Sequence, residues 1–215
     1  MKKSILFIFG ITLILSNLRA QDYHQMMLNG IVKMDSAKTL EQWQEVTGIF
    51  ERIAAVDTSK WLPQYYAAYN NIMVGVMQEK NKTKDAFYTK AADYIARIER
   101  LNVKNDETLI LKSFMLQMQI SVNPMKRGKE LGSQSDKLLE EALKMNPDNP
   151  RYYMLKAENF WYTPPMFGGD KVKACEFYQK SKDKFSVFKP LDDISPNWGL
   201  HRVNDMLIEC SKQKN

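Results

Sequence analysis

An all-α fold built from antiparallel helix pairs is predicted by three observations. Apolar residues recur at three- and four-residue spacing, as in Ala91, Tyr94, Ile95, Ile98 and Leu101, or Leu138, Leu139, Ala142, Leu143 and Met145. That spacing is the stripe of an amphipathic helix. The alternation that marks strands is missing outside the short stretch Phe185–Phe188. One spacing pattern also repeats: Ser135, Leu139, Ala142 and Pro147, then Tyr153, Ala157 and Phe160, echo Ala91, Ile95, Ile98 and Val103, then Leu109, Ser113 and Leu116, 44 residues earlier. Ala174, Tyr178 and Ser181 begin it a third time. A repeated helix pair cannot bury its apolar face alone, so repetition implies a stacked array.

At the N-terminus, Lys2 and Lys3 precede an 11-residue run, Ile5 to Leu15, broken only by Gly10 and Thr12, and Ser16, Asn17 and Ala20 follow. This is the layout of a secretory signal peptide, and the run is well short of the about 20 apolar residues that span a bilayer. Residues 1–20 are expected to be cleaved after Ala20, leaving 21–215 as one helical-repeat domain, periplasmic or secreted. The residue directly after the cut is Gln21 and not a cysteine, which argues against a lipid anchor. The shortened chain carries 28 basic and 25 acidic residues, a net +3 against +6 for the whole sequence. Basic residues alternate with acids along every segment instead of forming a stripe, so nucleic acid is not an expected partner.

Turn chemistry concentrates at Asp57–Lys60, Asn81–Lys84, Asn102–Asp106, Asn123–Gly132, Asn146–Pro150, Thr163–Asp170 and Lys189–Asn197. These breaks delimit about nine helices. Asp106 and Asp170 stand where a carboxylate caps free backbone N–H groups, and Pro150 suits a first turn. Cys175 and Cys210 are the only cysteines. Two separate buried thiols are expected, since spacing alone does not show that their Cα atoms come within about 7 Å, with a disulfide as the alternative that an oxidising compartment allows.

A small residue near the middle of each helix admits its partner closely, while larger residues a turn away fill the groove between pairs. In this the chain resembles the tetratricopeptide repeat family, most closely along EALKMNPDNPRYY from Glu141 to Tyr153. There the second helix carries small, large and small positions before a proline. The first helix carries aromatic, small and aromatic positions like Tyr153, Ala157 and Phe160. The spacing of 44 exceeds the family period of about 34, which is read as lengthened turns at Asn123–Gly132 and Thr163–Asp170. Elongated repeats of this kind, with the loop PPMFGGDKVKA from Pro164 to Ala174, are similar to those of exported bacterial proteins. The resemblance implies an α-solenoid closed by a C-terminal capping helix through Trp198, Leu200, Val203, Leu207 and Cys210. It also implies a concave groove faced by Tyr66, Asn70 and Met73, by Glu107, Ile110, Phe114 and Gln117, and by Arg151, Met154, Glu158 and Trp161.

Rings with a few polar anchors suit an extended peptide or an amphipathic helix. The expected function is therefore an exported scaffold or adaptor that binds a protein or peptide segment. A small-molecule or sugar-binding module using the same aromatics is the second reading, and an enzyme is not expected. His24 and His201 are the only histidines and do not share a helical face, which excludes the usual zinc spacing. His201 and Asp205 form a surface pair at most, and no G-x-S-x-G turn accompanies a nucleophile. The adjacent acids Glu140–Glu141 and Asp192–Asp193 read as solvated. Gly168–Gly169 before Asp170 reads as a tight turn with Phe167 packed back onto the helices, not as an anion site. Scattered methionines, such as Met115 and Met118, read as core filling, so no cofactor or metal is expected. Tyr65–Tyr66 and Phe160–Trp161–Tyr162 cannot turn every ring inward, and some of them should be exposed.

Overall fold

The computed structural model describes residues 22–213, so the leader and the cut after Ala20 lie outside the described residues. Among these, nine α-helices follow one another: α1 (22–36), α2 (Leu40–Val56), α3 (Trp61–Met77), α4 (Asn81–Arg100), α5 (Asp106–Val122), α6 (Pro124–Met145), α7 (Pro150–Tyr162), α8 (Lys171–Val187) and α9 (Leu200–Lys212). A 3₁₀ turn, Pro165–Phe167, lies between α7 and α8. Five of the helices, α2 and α5 to α8, start where a side chain satisfies free N–H groups. Thr39 and Gln42 close a capping box on α2, and Asp170 accepts from Val172 and Lys173 at the start of α8. The cap of α5 is Asn105 instead of Asp106, which is already helical.

Sequential helices pack as antiparallel pairs, α3 with α4, α5 with α6 and α7 with α8, while α2 lies against α3 and α9 against α8. α3, α5 and α7 touch in series as an inner layer. The repeated positions are the contact points: Ala91, Ile95, Ile98, Ser135, Leu139, Ala142, Ala174, Tyr178 and Ser181 are all buried. Buried serines find partners across the pairs, Ser113 with Ser135 at 2.8 Å and Ser181 donating to the Pro150 carbonyl at 2.8 Å. At Gly75 an added Cβ would stand 2.5 Å from Cε1 of Tyr88, so only glycine lets α3 and α4 close.

Two turn expectations change. The stretch Asn123–Gly132 is not a long turn: Asn123 accepts from Lys126 N–H, Pro124 takes the first helical position, and α6 runs unbroken through Gly128 and Gly132. Each helical glycine costs about 1 kcal/mol, which a 22-residue helix with a buried face absorbs. The extra length of this repeat is therefore helix, whereas the α7–α8 connection is a true loop. Likewise Asn81 begins α4 instead of preceding it, and the break falls at Gln78–Lys80.

Cys175 and Cys210 are joined in a disulfide, S–S 2.06 Å with Cα atoms 5.8 Å apart. The separate-thiol expectation fails because α9 folds back along α8 and brings the two faces together. No helix among the described residues is long and apolar enough to cross a membrane.

Candidate functional site

The inner faces of α3, α5 and α7 do form a groove, and the chain fills it itself. Residues 188–199 (FKPLDDISPNWG) run through it without regular secondary structure, as a strap between α8 and α9. The Trp198 ring lies 4.9 Å from that of Tyr69 and 5.6 Å from that of Phe114, and its Nε1 donates to the Tyr65 hydroxyl at 2.8 Å. Tyr66 donates to the carbonyl of Ile194 at 2.9 Å. At the strap's outer edge His24 contacts Asp193 at 2.7 Å.

Arg151 holds the centre. Its guanidinium lies 4.7 Å from the Phe188 ring centroid and 5.7 Å from that of Trp198, and Nη1 donates to the Trp198 carbonyl. Nε and Nη2 both engage Glu107, which also accepts from Asn149 at 2.7 Å. Burial works against the charge of Arg151, but Glu107 outweighs it and holds the guanidinium above its ordinary value.

Of the groove residues expected from the repeat register, Tyr66, Asn70, Ile110, Gln117, Arg151 and Met154 are therefore buried. Glu107, Phe114, Glu158 and Trp161 are half-buried. Tyr65 and Tyr66 both point into the core, and among the adjacent rings of which some were expected to be exposed it is Tyr162 that is. The strap supplies the second surface that consecutive residues of one helix otherwise lack.

Trp161 belongs to a different place. With Phe160, Tyr162, Pro164, Pro165 and Lys171 it lines an open cleft of about 260 Å³ at the α7–α8 loop. Gly168 (φ +95°) makes the turn, and a Cβ on Gly169 would collide with the Thr163 carbonyl, so the loop needs both glycines. Phe167 does not pack back onto the helices: it is 66% exposed, and Tyr162, Met166 and Val172 are exposed beside it. The result is an apolar patch of the kind that marks a ligand or partner surface.

Cations frame this patch. Lys171 Nζ stands 5.0 Å from the Trp161 ring centroid and Lys173 Nζ 5.9 Å from that of Phe160. From α9, Arg202 donates Nε to Glu158 Oε1 at 2.7 Å, and Nη2 to Glu158 Oε2 at 3.1 Å and to the Tyr162 hydroxyl at 2.7 Å. Partial burial opposes the charge of Arg202, but the bonds and charge of Glu158 prevail and hold it above its ordinary value. Beneath them the Tyr178 hydroxyl is buried, which together with the nearby Glu158 charge raises its pKa.

The repeat register placed Trp161 and Glu158 in the concave groove, whereas they stand at this cleft, and it did not select Tyr162, Met166, Phe167, Lys171 or Arg202. The signal for the loop was the apolar run beside two glycines; nothing in the register connects Arg202 to α7. Its position is set by Trp198, by Gly199 (φ +114°), whose Cβ would meet Met154 Sδ and Phe185 Cζ at 3.1 Å, and by the disulfide at the far end of α9.

Neither a protein-family model nor a curated protein sequence matches the chain. Among solved structures, the HusA haemophore from Porphyromonas gingivalis is similar at 30% sequence identity and a TM-score of 0.79, over 90% of this chain and 94% of that one. The chain belongs to the HusA haemophore family. A haemophore is a carrier, not a catalyst, and membership in the HusA family agrees with the expectation that the chain is not an enzyme.

Proposed function

We propose that this protein is an exported carrier of haem, held on the aromatic strip of the α7–α8 cleft. The supporting observation is the relationship to a haemophore at 30% identity across 90% of the chain. The cleft suits that cargo chemically: a porphyrin is a flat aromatic ring system with acidic side groups, and here exposed rings stand between lysine and arginine side chains. At about 260 Å³ it is smaller than the roughly 300–1,000 Å³ of enclosing ligand sites. A macrocycle would therefore cover its mouth and lie against Tyr162, Met166 and Phe167. His24 is engaged with Asp193, His201 with Asp205, and both cysteines with each other. In this reading stacking and charge, not a histidine or thiolate, retain the cargo.

The signal-like segment from Lys2 to Ala20, cleaved to leave one domain of residues 21–215, supports export, as does the disulfide. The helix pairs are taken as tetratricopeptide-like on their register. A peptide scaffold is the second reading, favoured by the groove's ability to hold an extended tryptophan-bearing segment, here the chain's own strap.

Titrating purified protein with haemin, followed by Soret absorption and tryptophan quenching, tests the proposal. Saturation with a Kd of about 1 µM or tighter, weakened in Trp161→Ala, is expected. Absence of any saturable change would sink the carrier reading and return attention to a peptide partner.

A further inference from the structure

Three hydrogen-bond donors at the rim of this cleft are left available by their surroundings. Arg202 uses Nε and Nη2 on Glu158 and Tyr162, while its Nη1 has no partner among the described residues and its side chain is 43% exposed. Tyr162 accepts that bond, so its own hydroxyl proton remains to be donated, and a hydroxyl that accepts from a cation is a stronger donor. Lys171 is exposed over Trp161 and enters no ion pair among the described residues, unlike Lys173, which lies 3.9 Å from Asp170. Arg202 occupies both oxygens of Glu158, while Asp170, the carboxylate that lines the cleft, accepts from the Val172 and Lys173 N–H groups and lies 3.9 Å from Lys173 Nζ.

An anion arriving at the aromatic strip therefore meets a lysine on the loop side and a guanidinium edge with a phenol on the α9 side. Charge-assisted bonds of this kind are about twice as strong as neutral ones, and Arg and Lys each supply one.

We propose that Lys171, Tyr162 and Arg202 form a carboxylate-reading rim, which makes the site selective for aromatic cargo bearing free acid groups. The inference rests on the carrier reading above and adds to it what the cargo must carry. Glu158 is a positioning residue here, since it aims Arg202 without facing the ligand.

The test compares haemin with its dimethyl ester on the full exported protein, on Lys171→Gln, and on the Lys171→Gln, Arg202→Gln double variant. For the native protein, binding of the diacid about tenfold tighter than the diester is expected, with the preference shrinking as salt rises. Lys171→Gln, a surface change that leaves the fold intact, should lose part of the preference, and the double variant should bind both forms alike. Equal affinity of the native protein for acid and ester would overturn the rim while leaving the carrier reading standing. If neither form binds, both fall together.

Discussion

The concave groove and the α7–α8 cleft begin from the same resource, aromatic residues on the first helix of a pair, and end in opposite states. In the groove, Tyr65, Tyr66, Tyr69 and Phe114 are closed over by the strap, and a fully buried arginine is satisfied by Glu107, two rings and a carbonyl. In the cleft, Tyr162 and Phe167 remain exposed, and the arginine that serves them is shared between a carboxylate, a phenol and solvent. The first arrangement converts aromatic area into stability. The second leaves it open to solvent, and only rings not already buried can gain by burying a guest. The two regions should accordingly respond to mutation in opposite ways.

The largest effect is expected at Arg151. Removing one partner of a buried pair costs about 3–5 kcal/mol, because the other is left uncompensated, and Arg151→Ala also removes the cation packed between Phe188 and Trp198. Urea unfolding should show a much lower midpoint with the slope preserved. A change below about 1 kcal/mol would mean that the groove is as wet as an ordinary surface and that the contrast between the regions is false.

Next comes the disulfide, which encloses the strap and most of α9 within its loop. For a sequence separation of 35, the chain-entropy relation gives about 3–4 kcal/mol. Replacing Cys175 and Cys210 together by serine should lower stability by that order, and amide exchange should quicken first in residues 188–210, because those residues lie within the released loop. If exchange instead rose uniformly, the strap would be held by Arg151 and Trp198 alone.

A smaller effect separates the regions by pH. Burial is the main cause of raised pKa values at Tyr65, Tyr66 and Tyr69, and together with the Asp57 and Asp192 charges it pushes Tyr23, beside the strap, to about 12. The unfolded chain releases these protons near pH 10 while the folded chain keeps them. The stability they represent is complete below pH 10 and is lost as pH rises toward the folded values, by about 1.4 kcal/mol per unit for each tyrosine. Tyr69→Phe should be nearly neutral at pH 7 and recover about 1.4 kcal/mol at pH 11, measured by denaturation at both pH values. An unchanged alkaline slope would show that Tyr69 ionises in place.

How much of this was legible follows from which interactions are local. The periodicity of α4, α6 and α8 and the small residues Ala91, Ser135, Ala142 and Ala174 reported the helix pairs, because those positions are in contact within one repeat or the next. The register also placed Ile110 and Arg151 on the inner helices, where both are buried beneath other parts of the chain and do not face an open groove. What covers them lay beyond the register: Trp198 is 133 residues from the Tyr65 hydroxyl it donates to, and no spacing rule spans that distance. The cleft was half legible, through the run Pro164–Phe167 and its glycines. The Arg202 to Glu158 contact is set only by where α9 lands, as is the closure of Cys175 on Cys210.

The smallest effect on stability is expected where the effect on function is greatest. Tyr162 and Phe167 are 64% and 66% exposed, so truncating them removes little buried area. Tyr162→Ala also frees one Arg202 donor while leaving both bonds to Glu158 in place. The double variant Tyr162→Ala, Phe167→Ala should therefore unfold within about 0.5 kcal/mol of the native protein, yet bind haemin at least about tenfold more weakly, two ring contacts being worth about 0.5–1.5 kcal/mol each beyond their area. Arg151→Ala, examined below its own unfolding midpoint, should show the reverse, with haemin affinity kept and stability lost. If instead the Arg151 and strap variants lose haemin while the cleft variant binds it normally, the cargo belongs in the groove, and the strap must move aside to admit it.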